Sequence, residues 1–371
     1  MSDYKKTVDE LAPIVAEHAT RVDEQAEFPR RSIEALGQSG LLGLVSATSV
    51  GGLGQGPRAA AYAVERMARE CGSTAMVLCM HYCGTQVLET FGPEPVRKDI
   101  AQGKHLSTLA FSEAGSRSQF WAPVSTAEQK NGHVTLSAKK SWVTSAHHAD
   151  AYVWSSRPMN AEGASTIWFV PRKTKGVEAT GSFNGLGLRG NDSTPVKAEN
   201  AEVTPDSMLG KDGQGLDIML GTVLPLFNVL TASVSVGLME GATQAAAKHA
   251  AGTTFEHLGS PIAELPTVRA YLARMRIATD QARCLVEDTI TAIEQGREDT
   301  MLRVLECKAA AGESATHVLD LAMRVCGGAA FRKEVGVERR FRDGRAGTVM
   351  APTTDQLYDF IGKAICGMPV F

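Results

Sequence analysis

The chain has 371 residues, 43% of them hydrophobic and 21% charged, with a formal net charge of -3. That length supports two or three cooperating regions, each with its own core. The near-neutral, slightly acidic balance excludes an electrostatic nucleic-acid footprint. No apolar run approaches the roughly 18–20 residues of a membrane span. Residues 1–6 lead into an amphipathic helix-like stretch without a signal-peptide apolar region. A cytoplasmic protein is therefore expected, and its seven irregularly spaced cysteines read as reduced thiols.

Three textures follow one another along the chain. Residues 1–107 read as helical: Leu11, Ile14 and Val15 repeat at helical spacing, as do Ile33 and Leu36, with breaks at Gly37 and Gly40. Further Ala/Met/Leu-rich helices are predicted over 59–71 and 74–91. In the second of these, Cys79, His81 and Cys83 could ligate a metal only with further ligands that the sequence does not supply, so no metal is expected. Residues 108–215 change to short alternating runs at 133–136, 151–154 and 166–170, separated by Asn131-Gly132, Pro158, Gly163, Pro171 and Gly176. These predict a small antiparallel, barrel-like β domain. From 216 to 371 the helical period returns. Val268, Leu272, Met275, Ala282, Leu285, Val286 and Ile293 form one stripe ending at Gly296, and residues 301–325 repeat the pattern. This last block is long and apolar enough for a four-helix bundle.

Two glycine-rich stretches need care. Gly185-Leu186-Gly187-Leu188-Arg189-Gly190 matches a dinucleotide fingerprint letter for letter. That motif works only when a helix follows to receive the pyrophosphate, and here Asn191-Asp192-Ser193-Thr194-Pro195 follows. Gly51-Gly52-Leu53-Gly54-Gln55-Gly56 lacks the Lys-Ser/Thr ending of a P-loop and reads as a flexible loop.

A series of short motifs then carries a resemblance. Phe28-Pro29 with Gly51-Gly52-Leu53-Gly54 opens it. Phe111-Ser112-Glu113-Ala114-Gly115-Ser116-Arg117-Ser118 and Leu136-Ser137-Ala138-Lys139-Lys140-Ser141-Trp142-Val143-Thr144-Ser145 follow. Leu209-Gly210 with Gly213 and Gly215, then Gly327-Gly328 and Val337-Glu338-Arg339-Arg340-Phe341-Arg342-Asp343, close it. In this order the chain resembles the acyl-CoA dehydrogenase superfamily over nearly its whole length.

The resemblance implies an N-terminal helical domain, a middle β domain, a C-terminal four-helix bundle and FAD at the junction of the last two. Trp142 would wall the flavin ring and Thr144 would donate toward its N5, on one strand face by alternation. Ser112 and Ser118 would bond flavin or substrate phosphate edges, and Arg324 with Gly327 and Gly328 would belong to the cofactor site. Without the motif around them, Trp142 reads as a buried β-domain aromatic and Thr144 as a sheet-face hydroxyl. The resemblance also implies a homodimer or homotetramer and an acyl thioester substrate; the electron acceptor is open.

The chain departs from the family where proton abstraction is needed. Ala351, in Met350-Ala351-Pro352-Thr353, stands at the usual Glu position. Phe227 stands at the alternative one, with Asn228 for a neighbouring Arg. Phe255 stands where the family has an Arg that reaches a neighbouring subunit's FAD. His81 and Asp355 are the substitute acid–base candidates. A lone His is more often structural, Asp355 equally suits a helix cap, and His147-His148 read as an exposed turn. Three functions remain: thioester dehydrogenation with a relocated base or none, a flavin monooxygenase or oxidase on the same fold, and a subunit without activity.

Overall fold

The computed structural model describes residues 4–117, 119–130 and 132–370; Ser118 and Asn131 lie outside the described residues. Helices come first: α1 (Tyr4–Glu24), α2 (Arg30–Gln38), α3 (Pro57–Glu70), α4 (Gly72–Phe91) and α5 (Glu94–Ala101). Strands follow: β1 (Ser107–Ala110), β2 (Thr126–Lys130), β3 (His133–Val143), β4 (Ala151–Ser156), β5 (Thr166–Pro171), β6 (Val177–Ala179), β7 (Thr194–Val203) and β8 (Met208–Leu209). Helices return as α6 (Gly215–Ile218), α7 (Leu224–Gly252), α8 (Pro266–Gln295), α9 (Thr300–Cys326), α10 (Val337–Gly344), α11 (Ala346–Val349) and α12 (Thr354–Ile365). This is the expected order of helical, β and helical regions.

The chain forms two compact units. One holds residues 1–60, 76–184 and 189–227, and the other holds 61–75, 185–188 and 228–371. In the first, the strands make two four-stranded sheets, ordered β1-β4-β5-β8 and β2-β3-β7-β6. Their inner faces share one core, with Tyr152, Trp154, Trp168 and Val170 from one sheet and Val134, Leu136, Val196 and Ala201 from the other. The expected all-antiparallel pattern is wrong at one pair, since β1 runs parallel to β4. The two strands are consecutive in their sheet but distant in sequence, so no hairpin forces them antiparallel.

In the second unit, the apolar stripe of α8 buries Val268, Met275, Ala282 and Val286, and the helix ends on Gly296 at φ 62, a left-handed cap that glycine adopts without strain. Glu240 of α7 receives Arg276 and Arg283 of α8 at 2.8 and 2.9 Å, and Arg283 also reaches Glu65 of α3 at 3.1 Å. Burial pushes the Glu240 carboxyl up, but the two guanidiniums outweigh it and hold it at about 2.

One sequence expectation about membranes is corrected. The helical stretch Gly215–Gly252, 38 residues, is long and apolar enough to span a bilayer. Its run is interrupted by Gly, Ser, Thr and Asn, which masks its overall apolarity in the sequence. Because 72% of its apolar window is buried inside the protein, it serves as a core helix. A π-helical turn at Met219–Val223 precedes Pro225, which has no N–H to offer Gly221; the widened turn absorbs that missing bond.

The fingerprint-like glycines pack rather than bind. Residues 185–190 form a loop that leads to β7, with no helix after it. A Cβ on Gly187 would meet the Arg342 backbone, and one on Gly190 would meet Val22 and the Glu27 carbonyl.

Candidate functional site

The end of β3 builds the most distinctive feature of the first unit. Its register with β7 shifts between Lys140 and Val143, and Trp142 sits at φ 56. The bulge breaks the alternation expected of residues 142 and 144. Trp142 is 70% exposed while Val143 and Thr144 are buried, and Thr144 lies just beyond the strand. Trp142 is therefore no buried β-domain aromatic. A left-handed backbone at a bulky residue costs on the order of 1–3 kcal/mol and persists only where its surroundings enforce it.

Those surroundings are a second loop. Ser145 N–H donates to the Asn191 carbonyl at 2.9 Å and Ala146 N–H to that of Asp192 at 3.2 Å. The Thr144 and Ser193 hydroxyls lie 3.0 Å apart. His147 is tied to Asp192 through its backbone N–H at 2.7 Å and its Nδ1 at 2.8 Å. His148 stacks on Phe28 with ring centroids 4.0 Å apart, and its Nδ1 lies 3.1 Å from an Arg30 nitrogen. The expected exposed His-His turn is thus anchored on both sides.

Ser112 comes to the same end of β3. Its carbonyl accepts from Ser141 N–H at 2.9 Å, and Glu113 bridges to Lys140. Sequence reading missed what lies beneath. The Glu113 carboxylate and the Lys140 ammonium pair at 2.6 Å with side chains 1% and 0% exposed. Burial pulls Lys140 down to about 8 against the pull of Glu113. Burial pushes the Glu113 carboxyl up, yet Lys140, Ser125 and Val124 together hold it below the usual carboxylate range. Both residues stood inside quoted motifs, but nothing in one chain of letters pairs positions 27 residues apart. An open cleft of about 590 Å³ adjoins the pair, with Glu113, Ser125, Lys139, Lys197 and Asn200 in its lining.

His81 does not suit the acid–base part expected of it. It is fully buried, its Nδ1 accepts from Ser107 N–H at 3.0 Å and its Nε2 lies 2.9 Å from the Leu42 carbonyl. This arrangement fixes the neutral tautomer with Nε2–H donating to Leu42. Burial holds the imidazole pKa down at about 4. Both nitrogens are used in joining α4 to the segments at Leu42 and Ser107. Among the described residues no group of three or more His, Cys, Asp or Glu could hold a metal ion.

The second unit carries the remaining candidates. Ala351 is half-buried and Asp355 is exposed in the first turn of α12. The cap expected of Asp355 belongs instead to Thr353, whose hydroxyl accepts from Gln356 N–H while the Gln356 side chain accepts from Thr353 N–H. Lys308 of α9 reaches the neighbouring carbonyls of Pro352, Met350 and Gly347. Arg324 is exposed, with its guanidinium 4.6 Å from the Tyr271 ring centroid and 2.6 Å from the Tyr271 hydroxyl. Gly327 and Gly328 are exposed at the end of α9. Asn228 is buried and donates to the Val304 carbonyl at 3.0 Å.

Three family models match in succession: the acyl-CoA dehydrogenase N-terminal domain over residues 4–103, the middle domain over 108–201 and the C-terminal domain over 213–366. The chain belongs to the acyl-CoA dehydrogenase family. It is an acyl-CoA dehydrogenase-like flavoenzyme, and FAD is the cofactor that goes with that membership. The short-chain specific mitochondrial acyl-CoA dehydrogenase of Bos taurus is 27% identical over 356 residues, covering 93% of this chain and 84% of its own. The glutaryl-CoA dehydrogenase of Desulfococcus multivorans is 28% identical, covering 88% and 85%. Among solved structures, a glutaryl-coenzyme A dehydrogenase complexed with glutaryl-CoA superposes with a TM-score of 0.92 at 24% identity, over 100% of this chain and 96% of that one.

Proposed function

We propose that this protein is an FAD-dependent oxidoreductase that oxidises the CH–CH bond of an acyl thioester, using a proton acceptor outside both family Glu positions. The observation that carries the reading is the paired loop at 142–146 and 191–194. It leaves the Trp142 indole exposed on a loop braced by the part-buried Thr144–Ser193 hydroxyl pair, which supports the reading of Trp142 as an apolar wall for a flavin ring. When bound, FAD supplies the hydride acceptor. Trp142 and Thr144 would hold its ring. Exposed Arg324 offers a guanidinium to a phosphate, and Gly327 and Gly328 offer backbone free of side chains. The thioester class is supported by the names of the relatives, which are acyl-CoA and glutaryl-CoA dehydrogenases.

The proton needs a home that neither Ala351 nor Phe227 can give. His81 has no free nitrogen. Asp355 is exposed and, among the described residues, its carboxylate has no ion pair or hydrogen bond. In this reading Asp355 accepts the α proton, directly or through water. The outer side of α12, where Tyr358 is 52% and Ile365 72% exposed, would be covered by a second copy in a homo-oligomer.

The test is anaerobic addition of an acyl-CoA panel to the FAD-loaded protein. One thioester is expected to bleach the visible band, and Asp355→Asn is expected to slow that bleaching about 10²-fold or more with FAD still bound. The empty Glu positions also suit an oxidase or monooxygenase. Oxygen uptake by the reduced protein with no bleaching by any thioester would establish that second reading instead.

A further inference from the structure

We infer that the buried Glu113–Lys140 pair is a positioning device for the cofactor loops, and not only a staple within the β region; this rests on the flavin reading above. Lys140 Nζ donates to Glu113 Oε1 at 2.6 Å, to the Ser155 carbonyl at 2.7 Å and to Ser155 Oγ at 2.9 Å, which uses all three ammonium protons. Glu113 Oε1 also accepts from Ser125 Oγ at 2.6 Å. Its Oε2 accepts from the N–H groups of Val124 and Ser125 at 2.7 and 2.9 Å. The pair is therefore fully satisfied, and it joins the turn at 112–116, the segment at 124–125, β3 and β4.

Its placement gives it the further role. Glu113 directly follows Ser112, and Lys140 stands two residues before Trp142. The Ser141-to-Ser112 backbone bond lies between them. The ion pair thus fixes the turn that carries Ser112 against the last regular residues of β3, immediately before the bulge that exposes Trp142. Apolar residues of equal volume often hold a core as well as a buried ion pair does. They are not directional, so they leave the register between turn and strand end free to slip. Register is the attested use of such pairs.

A separation between stability and cofactor binding follows. Removing one partner strands a buried charge and harms both. Removing both charges together restores stability and leaves the loops unregistered. A simple staple would recover both properties at once.

The experiment compares the parent with Ser125→Ala, Glu113→Gln and the double variant Glu113→Gln/Lys140→Met. FAD affinity is read by quenching of flavin fluorescence on titration into apo-protein, loop geometry by visible circular dichroism of bound flavin, and stability by the thermal midpoint. Ser125→Ala is expected to fold like the parent and bind FAD a few-fold more weakly. Glu113→Gln should bind at least tenfold more weakly with a lowered midpoint. The double variant should regain most of the midpoint and still bind at least tenfold more weakly, with an altered visible dichroism. FAD affinity that recovers along with the midpoint, or stays within twofold of the parent throughout, overturns the positioning role. If Glu113→Gln fails to fold, the other two variants decide the question. A parent protein that binds no FAD defeats the flavin reading and this inference together, whereas normal binding by every variant defeats this inference alone.

Discussion

Lys308→Met should destabilise the second unit by about 1.5–6 kcal/mol at pH 7, and the gap should widen as pH rises. Lys308 is 1% exposed and, among the described residues, has no carboxylate partner. Its three protons go to the carbonyls of Pro352 at 2.7 Å, Met350 at 3.0 Å and Gly347 at 3.3 Å. Burial pulls its pKa from 10.5 to about 8, which sets roughly 3 kcal/mol against the charged form. Three hydrogen bonds from a charged donor contribute about 1.5–3 kcal/mol each. Methionine loses those bonds and is relieved of the desolvation, so the bonds win by the stated margin. The sign of the pH effect follows from the direction of the shift. The folded pKa is the lower one, so between about pH 8 and 10.5 the unfolded chain holds more protons and parent stability rises with pH. Lys140 has the same sign, and comparison with the variant isolates Lys308. Urea unfolding should be followed by far-UV circular dichroism, because Trp121, Trp142, Trp154 and Trp168 all lie in the first unit. A gap under about 1 kcal/mol at pH 7, or one that stays constant to pH 10, would refute the reasoning.

Other outcomes follow from the same contacts. His81→Ala should cost about 2–4 kcal/mol, since it empties a buried site and orphans two backbone partners, and should leave the pH profile of turnover unmoved; loss of the acidic limb would reinstate His81 as a base. Trp142→Ala should change stability by less than about 1 kcal/mol because the ring is 70% exposed, yet weaken FAD binding at least tenfold; equal FAD affinity would remove Trp142 from the site. Glu240, held at about 2, stabilises the fold above its ordinary value of 4.5 and loses that contribution as pH falls toward 2. Glu240→Gln should therefore flatten the acid unfolding curve, and an unchanged curve would count against the Arg276–Glu240–Arg283 network. Ile365→Glu combined with Tyr358→Glu should lower the sedimentation coefficient to that of a monomer; an unmoved value places the subunit interface elsewhere.

The sequence made the regular elements legible because they follow a period. The stripe from Val268 to Ile293, its stop at Gly296 and the strands at 133, 151 and 166 all depend on local pattern alone. The family was legible for a related reason, since its motifs sit at turns and strand ends in a fixed order along the chain. What stayed hidden depends on partners distant in the chain. The bulge at Trp142 is imposed by pairing with β7 and by the loop at 191–194, so strict alternation put residues 142 and 144 on one face wrongly. His81 looked available because its two backbone partners, Leu42 and the Ser107 N–H, lie 39 and 26 residues away. Asp355 looked like a cap because an acid there is common, while Thr353 and Gln356 close a reciprocal pair that better satisfies the same helix end. Lys308 drew no notice in an apolar helix, where a lysine reads as a surface residue until three carbonyls are found around it.

That last residue bears on Ala351, which the resemblance places at the family's usual Glu position. Ala351 lies between Met350 and Pro352, and Lys308 holds the carbonyls of both. The backbone at Ala351 is therefore pinned. A carboxylate introduced there would sit one residue from two of the three carbonyls that the ammonium grips, and the nearby positive charge would favour its ionised form. Ala351→Glu thus separates two explanations of the same gap. If Asp355 already accepts the proton, Ala351→Glu should change the rate of thioester bleaching by only a few-fold in the parent and rescue Asp355→Asn. If the chain has no proton acceptor, the same substitution should raise the rate by about 10²-fold or more. A folded Ala351→Glu protein that binds FAD like the parent and is bleached by no thioester would mean that the acyl pocket itself has changed, and would move the protein to the oxidase or inactive reading.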